Sequence, residues 1–294
     1  MLEVAPWSVF GLVATGLVEV DHRIKCLRVT PFCRVEEWSV GRAVSKHRDA
    51  FPERSLHSCI DRLGDGIAQQ RVDAIYCLGD IVGYGPNPVE CIDLVIKHCT
   101  LTIKGNHEEA ALGDPVDFNY RAETAIRWTQ ERIRQSPPEV AKRDIEFLKG
   151  LADTASLEGS ILVHGSPRQP TRDYLFPRDV RDRQKMAEIF AKVPKYCFAG
   201  HSHIPGVFTE TGEYTHPADM TMAGIHILDD VRCVINVGSV GQPRDEDARA
   251  CYCTFDGDSV VFRRVRYDIT TTKRKIYAVQ RLHKSLGDRL EEGR

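Results

Sequence analysis

A short apolar, β-rich run that stops at a glycine or a polar residue occurs five times in this sequence, and it is the feature that most constrains the fold. The five runs are Ala74 to Leu78, Leu101 to Ile103, Ile161 to Val163, Tyr196 to Ala199 and Val234 to Val237. Helical patterns precede the first run at 58–69 and follow the second at 122–133. Strands that alternate with helices predict an α/β fold with a largely parallel sheet. Residues just beyond the carboxyl ends of such strands meet at one edge, so we expect the polar ends to share one site.

Four of these runs end in side chains that can bind metal ions. They end at Gly79-Asp80, Gly105-Asn106-His107-Glu108, His164-Gly165 and Gly200-His201-Ser202-His203. A mixture of carboxylate, amide and imidazole ligands suits Mn, Fe, Zn, Ni or Co rather than Ca. Each of these short segments is common in ordinary turns, but chance rarely places all of them at four successive strand ends. The set therefore predicts a transition-metal site.

The His-x-His segment indicates what such a site could do. Two imidazoles separated by one residue, here His201 and His203, can hold two neighbouring ions. A pair of ions stabilises both the attacking and the leaving oxygen of a phosphoryl displacement, and it lowers the pKa of a bound water. His107 directly follows Asn106 and would then protonate the leaving oxygen as a general acid.

The composition excludes several classes of function. With 40 basic and 42 acidic side chains and a formal charge of −2, the chain has no overall field that would attract nucleic acid or an anionic membrane. The ten cysteines include no C-x-x-C pair, so we expect reduced, mostly buried thiols. The apolar stretch from Val9 to Val18 is too short to span a bilayer and follows no positively charged segment, which predicts a cytoplasmic protein.

The C-terminal part of the chain has a different pattern. Residues 250–255, an Asp256-Gly257 turn and residues 259–266 predict an antiparallel hairpin with a primed turn. Residues 268–290 then predict a helix.

The ordered motifs around Asp80, Asn106, His164 and His201 resemble those of calcineurin-like metallophosphoesterases, and the resemblance extends over residues 58–290. The segments Gly79 to Pro88 and Asn236 to Asp245 look like the bacterial small-molecule branch, which includes phosphodiesterases and dinucleoside tetraphosphate hydrolases. The resemblance implies a four-layer α-β-β-α sandwich with a two-metal site at the strand ends.

The same resemblance implies a role for each matching residue. Asp80 would bridge two divalent ions, Asn106, His164 and His201 would complete one position, and His203 would join the other. His107 would be the general acid. The expected activity is hydrolysis of a small phosphomonoester, phosphodiester or nucleotide anhydride by metal-activated water.

Two departures from the family affect the expected substrate. Protein serine/threonine phosphatases of this superfamily have an Asp-Arg pair where this chain has Gly83 and Tyr84. Protein phosphatase activity is therefore disfavoured, and His107 has no identified partner. Arg168 and Arg244 each lie beside a proline in a motif loop, and they are candidates for binding phosphate because a guanidinium can contact two oxygens at once.

A larger departure lies upstream, because the family opens with a strand that ends in D-x-H and no D-x-H precedes Asp80. His47, Asp49, Asp21 and His22 are candidate substitutes. We therefore divide the chain into an atypical N-terminal segment, 1–55, and a metallophosphoesterase domain, 56–294. Three explanations are open. The site has degenerated to one firm metal position, a residue such as Asp49 restores it, or the residues before 55 come from a wrong reading frame or start.

The missing motif also motivates a rival from another functional class. It is a non-catalytic scaffold, similar to the retromer subunit that uses a phosphoesterase domain to bind protein. Retention of His107 and all the other motif residues argues against a scaffold, because a scaffold has no chemical need for an acid. A nuclease is disfavoured since no basic groove with interleaved aromatic residues is visible. We expect a small phosphorylated molecule or nucleotide as the ligand.

Overall fold

The computed structural model describes residues 8–10, 72–157, 159–220, 224–228 and 230–294. The helical pattern at 58–69 and the candidate substitutes His47, Asp49, Asp21 and His22 lie outside these residues. Among the helices that the structure describes, none has the length and apolar character needed to cross a membrane.

Twelve strands and seven helices are described. In chain order they are β1 (Ser8–Phe10), β2 (Ala74–Cys77), α1 (Pro88–His98), β3 (Leu101–Thr102), α2 (Asn106–Leu112), α3 (Tyr120–Arg134), α4 (Pro138–Gly150), β4 (Thr154–Leu157), β5 (Ser160–Val163), α5 (Arg183–Phe190), β6 (Tyr196–Ala199), β7 (Gly206–Thr209), β8 (Tyr214–Thr215), β9 (Ile225–Ile227), β10 (Cys233–Asn236), β11 (Ala250–Phe255), β12 (Ser259–Val265), α6 (Ile269–Ala278) and α7 (Ser285–Glu292). Short 3-10 turns occur at Pro177–Arg181 and Pro217–Asp219.

The strands form two six-stranded sheets. The first has the order β3-β2-β1-β11-β12-β9 and the second has the order β4-β5-β6-β10-β7-β8. In each sheet the strands that carry polar ends are parallel neighbours, namely β3 and β2 in the first and β5, β6 and β10 in the second. Their carboxyl ends therefore lie at the same edge.

The largely parallel sheet expected from the sequence is wrong for the molecule as a whole. The pairs β4–β5, β7–β8 and β11–β12 are antiparallel. Each of these pairs is joined by a short connection, and a short connection can join only antiparallel neighbours. The sequence pattern identified the parallel strands because helices or long loops separate them.

Successive side chains of each strand point to opposite faces of its sheet, and this alternation builds the layers of the fold. In β6, Tyr196 and Phe198 belong to the core between the sheets, whereas Cys197 and Ala199 belong to the core beneath α5. Strands β2 and β11 alternate in the same way between the central core and a third core under α1 to α4. Burial of a side chain such as Phe198 stabilises the sandwich by roughly 1.5–3 kcal/mol. The four-layer α-β-β-α sandwich is therefore confirmed.

The seven cysteines among the described residues form no disulfide bond, and six of them are buried, as expected. Cys251 and Cys253 are two residues apart in β11 and both face the central core. Burial raises the pKa of both thiols, so they act as small apolar side chains.

Two expectations for the C-terminal part need correction. The hairpin of β11 and β12 is present, but the two residues at its tip are Gly257 and Asp258 rather than Asp256 and Gly257, because the backbone N–H of Asp256 donates to the oxygen of Ser259. Gly257 has a positive φ of 98°, as the first tip residue of a primed turn requires. The Asp256 carboxylate accepts hydrogen bonds from the backbone N–H groups of Asp258 (3.1 Å) and Ser259 (2.7 Å). The single helix at 268–290 is two helices, α6 and α7, which pack against each other and place Ile276, Leu286 and Leu290 in one cluster.

Candidate metal centre

Loops from both sheets meet at the shared edge. The first sheet supplies Asp80 after β2 and Asn106 after β3, while the second supplies His164 after β5 and the loop 200–203 after β6. Asp80, His164, His201 and His203 are all almost completely buried. The structure thus brings together the five residues that the sequence identifies as metal ligands.

Two glycines allow the loops of the first sheet to touch. Gly79 has a φ of 88°, and a Cβ on it would lie 2.5 Å from the backbone nitrogen of Gly105. A Cβ on Gly105 would in turn lie 2.5 Å from Oδ1 of Asp80. No side chain fits between the two loops, so the Asp80 carboxylate lies directly against the segment that carries Asn106.

Each imidazole is oriented by a hydrogen bond from its outer nitrogen to a backbone carbonyl. Nδ1 of His164 donates to the oxygen of Leu78 at 2.7 Å, and Nδ1 of His203 donates to the oxygen of Gln242 at 2.7 Å. Nε2 of His201 donates to the oxygen of Arg172 at 3.2 Å. These contacts set the tautomer of each neutral imidazole, so that its inner nitrogen carries the lone pair that metal ligation requires.

The inner nitrogens face oxygen atoms that also carry lone pairs. Nε2 of His164 lies 3.2 Å from Oδ1 of Asp80, 3.2 Å from Oδ1 of Asn106 and 3.0 Å from Nδ1 of His201. The other carboxylate oxygen of Asp80 lies 3.5 Å from Nε2 of His203. Four potential ligand atoms that converge at these distances suit a divalent cation, and Asp80 presents its second oxygen to a neighbouring position.

The electrostatics of Asp80, His201 and His203 fit this donor set, whereas Asp80 raises the pKa of His164 against the effect of burial. Burial, reinforced by His164, lowers the pKa of His201 to about 2, and burial with the nearby Arg244 lowers the pKa of His203 to about 4. Burial alone would raise the pKa of the Asp80 carboxyl, but the His164 and His107 imidazoles hold it well below its usual range. Asp80 is therefore ionised and the two histidines are neutral near pH 7.

Glu108 organises the loops beneath the site, a role that the sequence did not reveal. Its carboxylate accepts four backbone N–H groups, those of Asp80 (2.8 Å), Ile81 (2.7 Å), Val82 (3.2 Å) and Gly105 (2.8 Å). Its position three residues after Gly105, the N-cap of α2, is the only sequence signal for such a contact. Burial and Asp80 raise the pKa of Glu108, and the N–H donors oppose that increase.

Asn236, at the end of β10, holds the loop that carries His201 and His203. Its Nδ2 donates to the oxygen of Gly200 at 2.6 Å and to Oγ of Ser202 at 2.9 Å. Both histidines have positive φ angles, 59° and 61°, which are costly for residues other than glycine. The Asn236 contacts stabilise this backbone and so set the positions of both imidazoles.

His107 faces the same region but belongs to a different environment. A Cβ on Gly83 would lie 2.0 Å from Nδ1 of His107, so the imidazole occupies the space that a side chain at this position would need. The rings of Tyr84 and Phe118 contact it edge to face at centroid distances of 4.6 and 5.3 Å. Burial lowers the pKa of His107, and the Asp80 carboxylate opposes that shift.

A cavity of about 320 Å³ opens above these groups. Asp80, Asn106, His107 and His201 line it, and so does Arg244. Arg168 is not among the lining residues, and its guanidinium pairs with Asp173 at 2.8 Å and Glu188 at 3.2 Å. The sequence also gave no role to Tyr174, which stacks on His201 with a centroid distance of 3.8 Å.

The second metal position has fewer described ligands. Asp80 and His203 are the ligating residues that the described part of the chain offers there. Strand β1 lies beside β2 in the first sheet, and residues 11–18, which follow it in the sequence, contain neither aspartate nor histidine.

Comparisons with known proteins agree with this geometry. A model of the calcineurin-like phosphoesterase superfamily domain matches residues 55–259. An uncharacterised protein of Methanocaldococcus jannaschii is 36% identical over 251 residues, which cover 81% of this chain and 96% of that protein.

Two solved structures are similar as well. The crystal structure of a metallophosphoesterase from Sphaerobacter thermophilus has a TM-score of 0.65 at 33% identity, covering 78% of this chain and 93% of the other. A hypothetical protein from Pyrococcus horikoshii OT3 has a TM-score of 0.59 at 18% identity, over 79% and 92% of the two chains. The second likeness concerns the fold alone.

Proposed function

Because this chain belongs to the calcineurin-like phosphoesterase superfamily, as its motifs predict, we propose that it hydrolyses a small phosphomonoester, phosphodiester or nucleotide anhydride. The observation that carries the proposal is the convergence of the Asp80, Asn106, His164 and His201 acceptor atoms beside a cavity that His107 also lines.

The same four residues would hold one divalent transition-metal ion, and Asp80 with His203 would contribute to a second. Mn, Fe, Zn, Ni and Co all suit this donor set. Bound ions would acidify water and offset the charge of the phosphoryl group. The backbone carbonyls of Leu78, Gln242 and Arg172 keep the three imidazoles in the tautomers that such ions need.

The remaining steps belong to side chains of the cavity. His107 would hold a proton toward the leaving oxygen as the general acid. The Arg244 guanidinium would bind phosphate oxygens, because it lines the cavity and forms no ion pair with a carboxylate of the described residues. Arg168 is left out of this proposal, since Asp173 and Glu188 already pair with it.

Metal analysis followed by hydrolysis assays tests the proposal. The purified protein would be titrated with Mn²⁺, and its turnover measured on p-nitrophenyl phosphate, bis-p-nitrophenyl phosphate and diadenosine tetraphosphate. We expect His107→Ala to lose turnover while keeping bound metal, and Asp80→Ala to lose both. Asp93→Ala and His98→Ala are matched controls, because neither residue lines the cavity.

Unchanged activity in both site variants would contradict the enzyme hypothesis. Absence of turnover in the wild-type protein, with metal bound, would favour the non-catalytic scaffold instead.

A further inference from the structure

Tyr174 lines the cavity beside the candidate metal centre, and none of the steps above uses it. Its ring stacks on the imidazole of His201 with a centroid distance of 3.8 Å and an angle of 28° between the two planes. Although His201 is buried, 40% of Tyr174 is exposed. The side chain therefore extends from a proposed metal ligand into the open cavity.

The tyrosine ring is held in place by its own segment of the chain. It also stacks on Phe176, with a centroid distance of 5.2 Å and nearly parallel planes, and the guanidinium carbon of Arg178 lies 5.1 Å from the Phe176 centroid. The backbone oxygen of Tyr174 accepts a hydrogen bond from Nζ of Lys185 at 2.6 Å. These contacts restrict the ring, so the position of its hydroxyl is set before a substrate binds.

The two residues that precede this tyrosine are fixed as well. The Asp173 carboxylate accepts hydrogen bonds from Oγ of Ser166 at 2.5 Å and from Nη2 of Arg168 at 2.8 Å. The backbone oxygen of Arg172 accepts the hydrogen bond from His201. Arg168, which does not line the cavity, thus helps to hold the loop that carries the tyrosine.

The hydroxyl of Tyr174 has a donor beside it and no acceptor among the described residues. Partial burial raises the pKa of Tyr174, and the neighbouring Arg244 guanidinium opposes the increase through its charge and a side-chain hydrogen bond. A guanidinium has only N–H groups to offer, so the hydroxyl oxygen accepts in this contact and the hydroxyl proton stays available to a ligand. By contrast, the hydroxyl of Tyr214 donates to the backbone oxygen of Pro205 at 2.8 Å.

Arg244 is anchored to the other part of the metal centre. Its backbone nitrogen donates to the oxygen of His203 at 3.1 Å, and its Nη2 donates to the amide oxygen of Gln242 at 2.9 Å. Since Tyr174 rests on His201, the two cavity donors are positioned by the two histidines of one loop. A group that contacts both donors would lie next to the metal ligands.

We propose that Tyr174 is a further catalytic residue, whose hydroxyl donates a hydrogen bond to one oxygen of the phosphoryl group while Arg244 contacts another. The inference rests on the proposed hydrolysis at this centre. It applies to monoesters, diesters and anhydrides alike, because each presents phosphoryl oxygens that take no part in bond breaking.

Such a hydrogen bond contributes most in the transition state. During displacement at phosphorus, negative charge is spread over the oxygens that neither attack nor leave. A donor that is already in position stabilises this charge without reorganising. Removal of the hydroxyl should therefore lower kcat more than it raises KM.

Tyr174→Phe tests the inference, because it removes the hydroxyl and keeps a ring on His201. We expect kcat for bis-p-nitrophenyl phosphate with Mn²⁺ to fall on the order of 10- to 100-fold, the effect of losing a hydrogen bond to a charged group. Elemental analysis and a chelator competition should show unchanged Mn²⁺ binding. A wild-type kcat, or a fall that follows from weaker Mn²⁺ binding, would overturn the inference.

Tyr120→Phe is the matched control. Tyr120 is 82% exposed and follows Asn119, which lines the cavity, but it is not itself a lining residue. The control removes the same hydroxyl group from the same part of the surface, so its kcat should equal that of the wild type. An equal fall in both variants would show that the effect is not specific to Tyr174 and would also overturn the inference.

A binding measurement separates this inference from the proposed catalysis. Calorimetric titration of the Mn²⁺-loaded full chain with inorganic phosphate should show an affinity that falls on the order of 10-fold in Tyr174→Phe and not in Tyr120→Phe. Should hydrolysis fail on every substrate while this fall is observed, the Tyr174 contact stands and the catalytic proposal does not. Equal phosphate affinity of the wild type and Tyr174→Phe, including no binding by either, would overturn the inference whatever the hydrolysis assays show.

Discussion

Gly83 has no side chain, and the His107 imidazole occupies the space that one would need. The backbone there has a φ of 96°, so a substitution faces both the clash and an unfavourable conformation. In Gly83→Ala the His107 ring must leave its present position beside the cavity. We expect turnover to fall on the order of 100-fold, as general acid catalysis typically contributes, while bound metal is retained. Steady-state assays with elemental analysis would measure both.

Gly257→Ala separates the clash from the backbone strain. Gly257 has nearly the same φ, 98°, but no atom lies within 4 Å of a Cβ placed on it. Gly257→Ala should lower the free energy of unfolding through the unfavourable backbone conformation, as Gly83→Ala should, but it should leave turnover unchanged. Equal turnover in Gly83→Ala and the wild type would show that His107 tolerates the added methyl group.

Glu108 gives a prediction about stability. In Glu108→Gln an amide nitrogen replaces one carboxylate oxygen, so two of the four backbone N–H groups face a donor instead of an acceptor. Unsatisfied buried donors cost about 1–3 kcal/mol each, so we expect a loss of roughly 2–4 kcal/mol in the free energy of unfolding.

Urea unfolding with far-UV circular dichroism would measure this loss. Glu123→Gln is the control, because Glu123 forms only a partly exposed ion pair with Arg127 in α3. It should change stability by less than about 1 kcal/mol. Similar values for the two variants would mean that the Glu108 contacts contribute little.

Residue roles were predictable where they depend on local position. Asp80, Asn106, His164 and the loop 200–203 follow predicted strands, and the rule that strand ends meet at one edge suffices to group them. Glu108 and Tyr84 could not be identified in this way, because their contacts join segments that are distant in the sequence. The ion pair between Arg168 and Glu188 could not be predicted either, because it too joins residues that are distant in the sequence.

At the scale of elements, Asn236 links β10 to the loop after β6. Asn236→Ala removes the hydrogen bonds to Gly200 and Ser202 and frees a loop whose histidines have left-handed backbones. Loss of such supporting contacts typically weakens metal affinity 10- to 100-fold, and we expect about that change for Mn²⁺. Competition with a chelator of known affinity would measure it.

Gln130→Ala is the matched control for Asn236→Ala. Like Asn236, Gln130 donates two hydrogen bonds from its side-chain amide, here to the backbone carbonyls of Ala110 and Gly113 at the far end of α2 from the metal ligands. Metal affinity should be unchanged. A similar weakening in both variants would point to general loosening rather than to the loop.

The elements also show where sequence patterns fail. Strands β5 and β6 were visible as short apolar, β-rich runs, and helix α3 was visible because its apolar positions repeat with the helical period. The break between α6 and α7 could not be seen in the sequence, because Val279 to Lys284 contain neither glycine nor proline. Burial of Leu282 stabilises the turn between the two helices. Tertiary packing decides such a break, and local sequence does not encode it.

For the whole molecule, the metal ligands connect the two sheets. Asp80 and Asn106 come from the first sheet, and His164, His201 and His203 come from the second. A bound ion therefore stabilises only the assembled sandwich, and we expect Mn²⁺ at 100 times its dissociation constant to add about 2.7 kcal/mol to the free energy of unfolding. Urea unfolding with and without a chelator would measure the difference.

Asp80→Asn tests whether that increase arises at this centre. Asparagine tolerates the left-handed backbone of Asp80, whose φ is 56°, so the fold should persist while the bridging charge is lost. The metal-dependent part of the stability should then largely disappear. An equal increase in the variant would place the stabilising ion elsewhere.

The dependence on both sheets has a spectroscopic consequence. The distance between the Asp80 and His164 loops is set by the packing of Phe198 and its neighbours in the central core, so a small slide of one sheet over the other alters the ligand geometry. The visible absorption of Co²⁺ depends on the number and angles of its ligands. The absorption spectrum of cobalt substituted at this centre would therefore report on sheet packing, and it would change with core substitutions far from any ligand.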